Sequence, residues 1–164
     1  MARSKIKHFK GFSIVDGDIR VTLNMSRFER QFQRAQYQLD GAVMNSMVPF
    51  MPMVTGSFIN ATRAASAALQ GSGEVYAAYG PQGRFLYEGK TMVDEKTGST
   101  WARRGAKKVL VSEFGGKTNA KPNLTYTKQA HPKAQSHWFD AAKKADGKKW
   151  IRDVKKTAGG GQRG

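Results

Sequence analysis

The residues best suited to chemistry sit in one stretch, "HPKAQSHWFDAAKK", residues 131–144. It places His131 and His137 six positions apart, across a proline and beside Trp138, Phe139 and a lysine pair. Such a pair raises metal ligation, acid–base catalysis or the gripping of a polyanion. Zinc-type histidine pairs on one helix stand about three or four apart, so that both rings reach one ion. No acidic cluster complements this pair, and the third histidine, His8, is remote in sequence. The spacing therefore argues against a metal. It puts His131 in an extended turn before Pro132 and His137 at the start of a helix.

Other reactive constellations are equally weak. There is no G-x-S-x-G elbow to expose a nucleophilic serine. The acidic residues are scattered, and the nearest pair, Asp94 and Glu95, falls at a hairpin tip rather than in a convergent acid–base site. "GPQG" (80–83) lacks the glycine spacing and the lysine of a phosphate-binding loop. The absence of cysteine excludes disulfide scaffolds, thiolate catalysis and cysteinyl zinc sites. The expectation is a protein that is not an enzyme and holds no cofactor and no metal.

Charge points elsewhere. The formal net charge is +16, from 28 Lys+Arg against 12 Asp+Glu, and the pI is near 10.3. A field of that sign draws polyanions. Cations gather at 2–10, 103–108, 117–121 and 143–156. No zinc-finger, basic-zipper or RNA-recognition signature accompanies them. The pattern suits nucleic-acid backbone contact without base reading, or an acidic protein surface. The candidate basic contacts are Arg27, Arg30, Arg34, Arg103, Arg104, Lys107 and Lys108.

The elements that must position these groups follow from pattern. The length of 164 residues and a hydrophobic content of 39% suit one domain with extended arms. We expect a flexible basic arm at 1–11, a single domain over 12–157 with loop insertions near 90–122, and a flexible tail at 158–164. "FSIVDGDIRVTLN" (12–24) predicts a hairpin turning at "DGD", with Ile19, Val21 and Leu23 on a buried face. Residues 26–47 predict a long helix opened by a Ser26/Glu29 capping box. Phe28, Phe32, Ala35, Leu39, Ala42 and Val43 form its apolar stripe, with Arg27, Arg30 and Arg34 on another face.

Pro49 and Pro52 end that helix. A second helix is expected over about 56–69 and a strand over 73–80. "RFLYEGK" is short and aromatic and turns at Glu88 and Gly89. An extended hairpin is expected over 90–111, a loop over 112–122 and a strand over 123–127. Ser136 caps a helix running to about 145, in which Trp138, Ala141, Ala142 and Ala145 share a packing face. Gly147 separates it from a second helical piece, "KKWIRDVKK". No apolar run is long enough for a membrane span, since "MVPFMPMV" is short and holds two prolines.

Taken in order, several pieces resemble one family: the small head–tail joining proteins of tailed phages, also called minor capsid or tail-completion proteins. After the long helix, Pro52, Thr55, Gly56 and Phe58 are similar to its P-x-x-T-G-x-[LF] element. "YAAYGPQGRFLYEGK", with Tyr87 and Gly89, resembles its Tyr-Ala…Glu/Tyr-Gly element. His131, Pro132, Ala134, Trp138 and Phe139 resemble its H-P-x-A…[WF]-[FL] element. The likeness spans about 26–156.

The resemblance implies an α+β subunit in which a long amphipathic helix and a C-terminal helix pack on a small antiparallel sheet. It also implies a structural protein of the virion, made in the host cytoplasm and placed at the head–tail junction. Copies would form a ring around the DNA path, joining the portal connector to the tail. Partners would be further copies, the adjacent connector or stopper, and tail-terminator or tail-tube proteins, without a membrane. The basic surface would serve neighbouring proteins or touch DNA non-specifically. On this reading Phe28, Phe32, Leu39, Pro52, Thr55, Gly56, Phe58, Tyr87, Gly89, Trp138 and Phe139 serve packing and assembly.

Overall fold

The computed structural model describes residues 12–16, 19–23 and 25–159. The expected arm and the last residues of the expected tail lie outside them. The class is α+β, with four α-helices and short antiparallel strands among the described residues. The described residues form two compact units, one within Met1–Ser46, Arg63–Tyr76 and Ala142–Gly164, the other within Met47–Thr62 and Ala77–Ala141.

In the first unit, β1 (Phe12–Asp16) pairs antiparallel with β2 (Ile19–Leu23), Asp16 opposite Ile19. This is the expected hairpin; the side chains of Ile19, Val21 and Leu23 lie outside the described part. α1 (Ser26–Met47) has the predicted bounds. On its expected stripe Ala35 is buried and Phe32, Leu39, Ala42 and Val43 are half-buried, whereas Phe28 is 48% exposed. α1 also buries Asp40, Met44 and Met47. These lie on a second face, roughly 120° round at about 100° per residue. A helix buried on two sides defeats a single-stripe reading.

α4 (Trp138–Ala158) is one continuous helix, against the expected break at Gly147. Glycine costs a helix interior only about 1 kcal/mol. Trp150, 8% exposed and donating its indole N–H to Ser46 Oγ at 3.2 Å, makes continuity worth more than that. Thr157 Oγ1 donates to Gln38 Oε1 at 2.6 Å, so the C-terminal helix packs along the long one. Asp40 is the other organiser of this unit. It accepts from the backbone N–H of Gly71 at 2.7 Å and Gly73 at 3.1 Å, and from Gln36 Nε2 at 2.8 Å. One carboxylate thereby satisfies the donors of a turn that has no ladder to join.

α2 (Ser57–Ala67) follows the expected second helix, slightly shortened. The strand expected at 73–80 is absent. Its backbone groups are taken by hydroxyls of α2: Ser66 Oγ accepts from Tyr76 N–H at 3.1 Å, and Thr62 Oγ1 from Tyr79 N–H at 3.2 Å. In the second unit, "RFLYEGK" lies mostly in a short helix, α3 (Gly83–Glu88), ended by Gly89 in the left-handed region at φ 70°. The turn at Gly89 is as expected.

The expected hairpin over 90–111 shrinks to β3 (Met92–Asp94) and β4 (Lys108–Leu110), joined by a long loop. The strand expected at 123–127 reduces to one bridge, Lys90 to Asn123. The helix start also moves by one residue. Trp138 is the first helical residue, and His137 rather than Ser136 stands before it, at φ 49°. The C=O of His137 accepts from Asp140 N–H at 3.0 Å, and its own N–H goes to Tyr87 O at 2.9 Å. Those bonds hold a conformation that costs a non-glycine residue about 1–2 kcal/mol.

Candidate assembly surface

The second unit is built around Trp138. Its side chain is fully buried, and its indole N–H donates to Ala77 O at 2.7 Å. Tyr87 meets it edge-on, with centroids 4.9 Å apart and planes at 88°, and Phe58 does so at 5.9 Å and 71°. Edge-to-face pairs let the positive rim of one ring meet the negative face of another. Tyr87 also stacks edge-on against His137 at 5.1 Å. Burial, then the charges of Asp140 and Glu88, push the Tyr87 hydroxyl above its ordinary pKa.

The loop before α2 docks on the same cluster through main chain. Met51, fully buried, offers its C=O to His131 Nδ1 at 2.8 Å, and Phe50 O accepts from Gln135 N–H at 3.0 Å. Pro52 is half-buried between these anchors and Thr55. The Thr55 hydroxyl accepts from Ser57 N–H at 3.4 Å and pairs with Ser57 Oγ at 2.9 Å, shaping the entry to α2. Gly56 is buried at φ 79°. Gly89 carries a second requirement besides its positive φ: a Cβ there would stand 3.1 Å from Ser136 Cβ and 3.2 Å from the Tyr126 hydroxyl. Tyr126 in turn donates to Leu86 O. Phe139 is half-buried beside Trp138 in sequence.

Thus Phe58, Tyr87 and Trp138 meet directly, and Pro52, Thr55, Gly56 and Gly89 shape the backbone that brings them together. Phe28, Phe32 and Leu39 belong to the first unit. There, Leu39 and Ala42 form part of a groove of about 620 Å³ together with Trp150 and Val154. Arg27, Arg34 and Lys156 stand at its rim with Asp153. Two of the three α1 arginines thus line a groove of mixed, mostly polar lining, and all three are exposed.

Arg103, Arg104 and Lys107 are exposed on the β3–β4 loop, and Lys108 is exposed at the start of β4. That loop is held by a residue the sequence offered only as a scattered acid. Asp94 is fully buried; its carboxylate accepts from the backbone N–H of Lys96 at 2.8 Å, Thr97 at 3.1 Å and Arg103 at 3.5 Å. These N–H groups, Lys96 foremost, lower its pKa to about 2 against the opposing effect of burial, and the Arg103 guanidinium, 3.6 Å away, adds to the lowering. An acid followed three and four residues on by Thr97 and Gly98 was the available signal for this Asx-type turn.

His131 is turned to a backbone carbonyl, while His137 lies 3.5 Å from Glu88 and 3.9 Å from Asp140. Among the described residues no three His, Asp or Glu side chains gather as a metal ion needs. No helix among them is long and apolar enough to cross a membrane. Comparison with known proteins adds no relative: no protein-family model matches the chain, and neither do any curated protein or solved structure.

Proposed function

We propose that the protein is a structural component of the phage neck, forming a ring that joins the portal connector to the tail around the DNA path. One observation carries the reading. Three segments far apart in sequence that resemble the joining-protein family, at 52–58, 76–89 and 131–139, converge on Trp138 in one unit. The residues that carry the likeness thus share one core. Contact between copies would come from exposed apolar side chains such as Tyr79 and Val54, and the cationic loop would meet neighbouring proteins.

The test is gene deletion in the phage encoding the chain, followed by electron microscopy. The expected result is filled heads and free tails that do not join, restored by supplying the protein. Complete head–tail junctions without it would overturn the reading. Submicromolar, steeply salt-dependent DNA binding by a chain missing from purified virions would favour a basic nucleic-acid-binding protein instead.

A further inference from the structure

Beyond the neck reading, and independent of it, we propose that the β3–β4 loop is a preformed docking element that inserts Trp101 into an apolar pocket on an acidic protein surface. Trp101 is 88% exposed, the most exposed large apolar side chain described. The peptide group that precedes it is nevertheless held at both its N–H and its C=O. Trp101 N–H donates to Ser99 Oγ at 3.1 Å, and Lys108 Nζ reaches the C=O of the preceding Thr100 at 3.0 Å. Asp94 fixes the turn beneath: its C=O accepts from Gly98 N–H at 2.9 Å, its N–H goes to Ser99 O at 2.8 Å, and its carboxylate gathers the three N–H groups described above. Gly98, at φ 66°, lies so close to the Phe114 ring that a Cβ would stand 2.5 Å from Cε1. The fold therefore fixes the backbone that leads into a tryptophan whose ring it leaves 88% exposed.

Rigid presentation reduces the ordering cost of association, and tryptophan and arginine are the side chains most enriched among binding hot spots. Charge selects the partner. Residues 96–112 contain no acid, while Arg103, Arg104, Lys107 and Lys108 stand exposed close to Trp101 in sequence. Arg103 keeps 63% of its side chain exposed even while paired with Asp94. A second copy of a chain with net charge +16 is a poor occupant. Nucleic acid is less favoured too: the tip offers one aromatic ring, where single-strand platforms stack successive bases on several. A solitary indole among cations fits an apolar pocket rimmed by carboxylates.

The measurement uses the purified full chain. Trp138 and Trp150 are 0% and 8% exposed, so fluorescence open to acrylamide quenching reports Trp101. The probe is a labelled peptide of alternating Glu and Leu; oligoglutamate of equal length, a Lys/Leu peptide, oligo-dT and phosphatidylserine vesicles stand beside it. The Glu/Leu peptide is expected to shift the emission to the blue and protect it from acrylamide. Trp101→Ala should weaken peptide binding at least tenfold, as should the double change Arg104→Glu and Lys107→Glu. Asp94→Asn should weaken it although every contacting residue remains.

Equal affinity for oligoglutamate, or for the peptide after Trp101→Ala, would overturn the proposal, leaving charge alone. Stronger protection of Trp101 by oligo-dT or by the vesicles would overturn it in favour of nucleic acid or a lipid surface. No binding of the Glu/Leu peptide would overturn it outright.

Discussion

Trp138 and Trp101 stand 37 residues apart in the same compact unit and have opposite fates. Trp138 is fully buried, hydrogen-bonded to Ala77 O and clasped by Phe58 and Tyr87. Trp101 has nearly all of its surface in water. What surrounds the two backbones is similar in kind, since each is positioned by specific hydrogen bonds. The difference lies in where the fold spends its apolar contacts. At Trp138 the ring holds the backbone segments together; at Trp101 the backbone holds out the ring. The first arrangement is a core and the second is a surface prepared for something else.

The contrast can be broken most forcefully at the buried ring. Trp138→Ala should lower unfolding free energy by about 3–5 kcal/mol, the usual cost of removing a large core aromatic, measured by urea unfolding of the purified chain. A loss below about 1 kcal/mol would mean that the cluster does not carry the unit.

Acid should act next, on the loop. Asp94 has a folded pKa of about 2 against an ordinary 3.8. Its contribution is therefore complete above about pH 4 and lost as pH falls through about 2. Amide exchange at Lys96 and Thr97 should quicken over that window, while Asp94→Asn should show fast exchange there at all pH values and no such step. Unchanged protection at pH 2 would show that other contacts order the loop.

The smallest expected effect sharpens the comparison from its other side. Trp101→Ala should change stability by no more than about 0.5 kcal/mol, leaving the urea midpoint in place. A larger loss would place Trp101 in the fold's own packing and remove the distinction.

Much of this was legible in the residues themselves. The hairpin over 12–23 follows from a two-residue turn between β-prone runs, and α1 from its capping pattern and period, because both signals are local. The segment 52–58 and the Gly89 turn were marked by proline and glycine, whose backbone preferences are intrinsic. His131 could be read as a turn residue because Pro132 restricts it. The errors have one source. At 73–80 the β-prone residues found their hydrogen bonds in the hydroxyls of Ser66 and Thr62, far off in sequence. At Gly147 the distant partner was Ser46, which takes the Trp150 indole N–H and keeps the helix whole.

The sequence by itself determined composition, the excess of cations, the long helix, and which segments turn, since those depend on charge and on short-range backbone sterics. Only the tertiary structure decided that Asp40 and Asp94 are buried organisers of turns, and that one tryptophan is core while another faces water. Burial and hydrogen-bond partnership are properties of pairs of residues brought together by the chain, and a side chain's type does not say which neighbours will reach it.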